Sequence, residues 1–356
     1  MAYDAALKQA RAYADVVRYS KDKATHGHIV SRHLIKKQQD MLLRSSLLMS
    51  ESLTPELSKK FDEVCEKLGV PRDAVNVFIQ ADSTIQAACL YSSSHECLIQ
   101  FSSGLINLLD SDEFGFVAGH ELGHFLLEHG AGDFQKESIE YFIQSRAQEI
   151  SVDRLGLIAT GNLDASMSAL VKAASGLENR HLRFDVGAFI SQAKKISQPQ
   201  RGEGFASTHP SILTRCRALL WFSTDTTYKD YPVTKQSPEL TKLNATIEKE
   251  LNKFVEGPIR EEINTVKKEI ALWLAASIII KDGRFDKDEQ QKIKNLFGDV
   301  ILDKLKRFLS DSNKDTLSHD IANKLAYSKK KLEHMMPVNF EKLYSEVEKF
   351  IAEKLA

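Results

Sequence analysis

The run from Phe116 to His129, FVAGHELGHFLLEH, constrains this chain more than any other stretch. An α-helix advances about 100° and 1.5 Å per residue, so His120 and His124 fall about 40° apart on one face, roughly 6 Å along the axis. Two imidazoles so placed can grip one ion. Glu121, about 100° round from His120, can reach water at that ion without being a ligand itself. The apolar neighbours Phe116, Val117, Leu122, Phe125, Leu126 and Leu127 predict a buried helix. Histidines left there without a partner would be costly, so a metal is the natural one.

The chain has 356 residues. Single cores rarely grow beyond about 250, so more than one domain is expected. Hydrophobic residues make up 42% and charged residues 27%, the profile of an ordinary globular protein. A net charge of −1 supplies no basic field for nucleic acid or anionic lipid. The first twenty residues scatter charge and show no signal-peptide pattern. The longest apolar run, Ala271 to Ile280, falls well short of the ~20 residues a membrane span needs. No membrane insertion and a cytoplasmic location are therefore expected. The four cysteines, Cys65, Cys89, Cys97 and Cys216, form no C-x-x-C pair and read as buried thiols.

Residues 1–52 read as a helical segment, with His26-Gly27-His28 as a polar turn between helices. Thr54-Pro55 predicts a helix start, Thr54 as cap, running to Gly69. Three short β-rich runs follow, AVNVFIQA, TIQAACLYS and ECLIQFS, and imply a small sheet. Asp110-Ser111-Asp112-Glu113 gives the motif helix an acidic N-terminus, and Gly130-Ala131-Gly132 is expected to end it. Asp133 can cap the next helix, which carries Arg146, Glu149 and Asp153. Glu149 lies far enough beyond His124 for a turn and an antiparallel return, so its carboxylate can come back beside the histidines. Asp153, one turn on, can accept a ligand histidine's N–H and fix its tautomer. The competing reading makes Arg146, Glu149 and Asp153 a solvated charge pattern. Gln198 to Gly204 reads as a loop leading to Ser207-Thr208-His209-Pro210, with Thr208 or His209 near the cap of a helix bearing Arg215. The domains expected are a helical segment (1–52), a catalytic domain (53–227), a linker (228–238) and a helical C-terminal domain (239–356). The fold class expected is α+β, mostly α.

Three features occur in order: His120-Glu121-x-x-His124, Glu149-x-x-x-Asp153 and Thr208-His209-Pro210 with Arg215 beyond. Together they resemble the gluzincin metallopeptidases of the HtpX and CAAX prenyl endopeptidase family, over about residues 55 to 225. The resemblance implies a zincin-type core binding one Zn²⁺ through His120, His124 and Glu149. It implies Glu121 as catalytic base, Asp153 behind the ligands, and His209 with Arg215 stabilising the tetrahedral intermediate. It sets the substrate-binding edge strand at Gln86-Ala87-Ala88 and at Cys97, Leu98, Ile99 and Gln100, though Gln-Ala-Ala departs from the family's frequent Asn-Ala-Phe. The segment ALWLAASIIIKDGRFDKDEQQKIKNLF is similar to TerB-like domains, and Asp286 with Glu289 forms a capping box there.

Two histidines and a glutamate would leave zinc's fourth position to water. A zinc endopeptidase acting on unfolded or extended polypeptide is the first expectation, with a protein partner for the C-terminal domain. A non-catalytic zinc-stabilised scaffold is the alternative, and it has no need of Glu121, His209 or Arg215.

Overall fold

The computed structural model describes residues 2–19, 31–92, 96–129, 138–195, 207–225, 238–252, 257–280, 285–312 and 316–355. Several expectations concern residues outside this set: the turn at His26 to His28, the helix stop at Gly130 to Gly132, the cap at Asp133, the loop from Gln198 to Gly204 and most of the linker. The chain forms two compact units, one of Met1–Asp133, Gln144–Gln198 and Ser207–Phe254, the other of Phe134–Ile143, Pro199–Ala206 and Val255–Ala356.

The first unit contains α1 (Ala2–Ala14), α2 (Arg32–Ser45), β1 (Leu47–Leu48), α3 (Pro55–Leu68), β2 (Val75–Gln80), β3 (Ala87–Tyr91), β4 (Cys97–Ser102), α4 (Ser103–Leu108) and α5 (Ser111–Leu126). It continues with most of α6 (Ile139–Thr160), then α7 (Leu163–Ser175), α8 (Val186–Ser191), α9 (Ile212–Phe222) and α10 (Pro238–Leu251). The architecture is α+β and mostly α, as expected. The sheet has four strands among the described residues, ordered β1-β2-β4-β3. β2 and β4 run parallel, whereas β1 and β3 pair antiparallel to their neighbours. β1 is only two residues long and carries no alternating pattern from which sequence could have found it.

Leu7, Ala10, Ala14 and Val17 are buried in the core shared by the sheet and α5. α10 also groups with this unit, because Ile247 and Leu251 pack on Ile150 and Ala218. Buried Arg154 ties the two ends in, donating to the Val17 carbonyl at 3.1 Å and to Asn244 Oδ1 at 2.7 Å.

Helix ends follow local chemistry. α3 stops at Gly69, which takes a left-handed φ of 68°. Thr54 bonds back to Ser50 instead of capping α3 with its side chain. α5 opens on a capping box in which Asp110 accepts from Glu113 N and Glu113 accepts from Asp110 N. Glu113 also takes the Nζ of buried Lys172 at 2.5 Å, which fastens α7 to the first turn of α5.

The second unit is helical throughout its described residues: α11 (Gly257–Ile279), α12 (Lys287–Phe297), α13 (Asp299–Asp311), α14 (Leu317–Met335), α15 (Phe340–Leu355) and the first turn of α6. Val266, Ile270, Ala275 and Ala276 of α11 are buried with Leu332 of α14 and Ile351 of α15. Asp286 and Glu289 form the expected capping box of α12. Glu140 accepts from the amide of Val338 at 2.7 Å and from the Asn339 side chain. No helix among the described residues is long and apolar enough to cross a membrane.

α5 and α6 approach closely at glycines. A Cβ on Gly119 would lie 2.5 Å from Ala159 Cβ and 3.1 Å from Gly156 Cα, and one on Gly156 would lie 2.8 Å from the Phe116 carbonyl oxygen. Because that neighbour is backbone, Gly156→Ala should force the helices apart and cost about 1–3 kcal/mol, read as a lowered urea midpoint at unchanged slope.

Candidate metal centre

Each side chain of the site has an identifiable placement. α5 presents His120, Glu121 and His124, all on a helix buried on most sides. α6 returns alongside with Glu149 and Asp153, and α9 brings Arg215. Ser211 caps α9 by accepting from Thr214 N, so Pro210 lies just before the cap and His209 one residue earlier still. Thr208 and His209 therefore lie three and two residues before the cap.

His120 Nε2 and His124 Nε2 stand 3.3 Å apart. Glu149 reaches both, with Oε2 at 3.6 Å from His120 Nε2 and Oε1 at 3.5 Å from His124 Nε2. Among the described residues these three offer ligand atoms within 4.8 Å of one another. His120 Nδ1 lies 3.0 Å from Asp153 Oδ1, as a donor to that carboxylate would. Its Nε2 is then left with a lone pair facing the other ring and the carboxylate. Glu149 Oε2 is buried and accepts no hydrogen bond. Converging lone pairs and a buried carboxylate oxygen that accepts no hydrogen bond fit a cation, and N₂O donation suits zinc.

Arg146, Glu149 and Asp153 are buried, which rules out the solvated charge pattern. Arg146 Nη1 donates to the Ser207 carbonyl at 3.0 Å, so it holds the start of the His209 loop. His209 is 60% exposed, with Nε2 at 3.5 Å from Glu149 Oε1 and Nδ1 at 2.9 Å from Thr208 Oγ1. Arg215 departs from the expected oxyanion role. Its Nε and Nη2 fork Asp153 at 2.8 and 2.6 Å, and Nη1 lies 3.4 Å from Glu149 Oε2. A guanidinium so committed to two carboxylates positions them.

The electrostatics follow from burial against pairing. Burial alone would raise the Asp153 carboxyl, but the Arg215 charge and fork and the His120 hydrogen bond outweigh it and hold it at about 2. Burial would also raise Glu149, yet Arg215 and the histidines bring it below its ordinary value. Burial would lower His120, but the Asp153 hydrogen bond and the Glu149 charge turn the shift upward. His124 is lowered to about 4, chiefly by burial. Glu121 is raised to about 7 by burial, with Glu149 adding to the shift.

The expected substrate strand also needs correction. Cys97, Leu98, Ile99 and Gln100 lie in β4, whose two edges are taken by β2 and β3. Among the described residues the edge strand beside α5 is β3, Ala87–Tyr91, and Cys89 on it lies within electrostatic reach of Glu121. The Gln86-Ala87-Ala88 assignment therefore falls on that edge strand and the residue just before it.

Peptidase family M48 matches residues 51–141 and 141–221. That segment contains every candidate metal-site residue named above. The plastoglobule-localized metallopeptidase 48 of Arabidopsis thaliana, a chloroplastic protein, is 25% identical over 224 residues. The alignment covers 54% of this chain and 64% of that relative, less than two thirds of its length. No solved structure matches.

Two outcomes test the centre. Glu149→Gln should lower bound metal from near one equivalent to a small fraction, measured by elemental analysis of purified protein dialysed against zinc. Arg215→Met leaves Asp153 and Glu149 as buried carboxylates without their cation, and should cost about 3–5 kcal/mol in urea unfolding.

Proposed function

We propose that this chain is a zinc-dependent endopeptidase that cleaves unfolded or extended polypeptide, with Glu121 as general base. One observation carries the reading: two imidazole Nε2 atoms and a buried carboxylate converge beside an acid whose own burial brings its pKa near neutrality. Zinc held by His120, His124 and Glu149 would supply Lewis acidity and lower the pKa of bound water towards about 7.

The protein's own groups do the rest. Glu121 takes a proton from the attacking water on its carboxylate and later delivers it to the leaving nitrogen. Asp153 holds His120 by its Nδ1–H, and Arg215 holds Asp153 and Glu149. His209, exposed on its loop, donates from Nε2 to the oxyanion as charge develops. The open edge of β3 pairs with an extended peptide through main-chain hydrogen bonds, which implies loose sequence preference. The TerB-like resemblance of the C-terminal residues is read as a helical interaction or regulatory domain.

Glu121→Gln should keep its zinc while cleavage of an unfolded protein substrate or a broad peptide library falls by at least about 10²-fold. A wild-type protein that holds zinc yet cleaves nothing in such a library, with Glu121→Gln indistinguishable from it, overturns the peptidase reading in favour of a scaffold.

A further inference from the structure

α5 ends within a turn of His124, and the manner of its ending bears on the metal centre. Glu128 N donates to the Phe125 carbonyl at 3.4 Å and His129 N to the His124 carbonyl at 2.9 Å. This is the Schellman pattern, in which the residue two past the cap folds back over the residue three before it. The left-handed position, commonly glycine, is occupied by Glu128 with φ 56°, the one non-glycine residue of positive φ among those described. The slot where such a turn usually pairs two apolar side chains holds His124 and His129 instead.

Their Nδ1 atoms are 3.3 Å apart, with ring centroids at 5.3 Å and planes at 72°. His129 is only 6% exposed. The turn is tied from three directions. Arg18 Nη2 donates to the Leu127 carbonyl at 2.9 Å, Tyr91 of β3 donates its hydroxyl to the His129 carbonyl at 2.9 Å, and Arg11 pairs with Glu128 at 2.8 Å.

Two Nδ1 atoms in hydrogen-bond contact need one proton between them. His124 turns its Nε2 towards Glu149 and His120, and an Nε2 that gives its lone pair to an ion requires the ring proton on Nδ1. His129 Nδ1 is then the acceptor, with its own proton on Nε2. We propose that His129 is a positioning residue for the metal centre, accepting the Nδ1–H of His124 and so fixing the tautomer and ring angle in which His124 binds zinc. The inference rests on the reading of His124 as a zinc ligand. It gives each ligand histidine its own acceptor, Asp153 for His120 and a neutral imidazole for His124. The neutral acceptor orients the ring without adding another carboxylate to a pocket that already holds Glu121, Glu149 and Asp153.

The test is the zinc dissociation constant of the full chain, measured by competition with a chromophoric chelator, for wild type, His129→Leu, His129→Asn and His129→Gln. Asn sets an amide oxygen near the place of the lost Nδ1, Gln sets one an atom further out, and Leu offers none. Leu and Gln should weaken zinc binding about 10–100-fold, with Asn staying within about threefold of wild type. The d–d absorption of the cobalt-substituted protein should shift in the Leu variant and not in the Asn variant. Equal affinities for Asn and Gln overturn the proposal even if the Leu variant does not fold. Unchanged affinity in the Leu variant, with zinc bound by wild type, overturns it alone. A wild type that binds no zinc overturns it together with the metallopeptidase reading.

Discussion

The candidate metal centre depends on two helices approaching at a distance that only a missing side chain permits. Gly119 sits one residue before the first histidine and Gly123 one before the second, and Gly156 faces Phe116 from α6. Where these backbones meet, the histidine face of α5 is brought against the turn of α6 that carries Glu149 and Asp153. Larger residues would widen the gap, and the ligand atoms would no longer share one centre. The glycines lower the intrinsic stability of both helices, and helix packing offsets that cost.

Once the backbones are that close, the carboxylates they bring together must be neutralised without water. Arg215 does so for Asp153 and Glu149, and the histidines add to it. A second buried pair, Lys172 with Glu113, does the same at the other end of α5. Breaking such pairs costs far more than their formation contributes, so they serve more to fix geometry than to add stability. Glu121 differs in that burial outweighs the opposing charges around it, which leaves its affinity for a proton poised near neutrality.

Much of the site was legible from spacing. The four-residue interval between His120 and His124 gave the ligand face, and the same interval between Glu149 and Asp153 set one carboxylate at the centre and the other behind it. The acidic start of α5 was visible, but Glu113 serving both a cap and a buried lysine was not, because Lys172 is remote in sequence and resembles any surface lysine. Arg215 was found by resemblance, yet its partners depend on where α9 docks. Arg146 and His129 were missed as functional residues. Glycine four apart, at 119 and 123, was a sequence signal for the close contact with α6, whereas Gly115 makes room for Lys60. The strand order could not be read at all, since a parallel β2–β4 pairing leaves no local mark and puts the third predicted run inside the sheet.

The sheet's two borders are unequal. One is β1, which offers only Leu47 and Leu48 and so gives an incoming chain almost nothing to zip against. The other is the five-residue border of β3. A sheet with one long border unpaired ordinarily invites sticky self-association, and among the described residues the longer border is the one beside α5. On the proposed reading, a stretched chain recruited by backbone pairing would come to lie along the strand that packs beside the helix of Glu121.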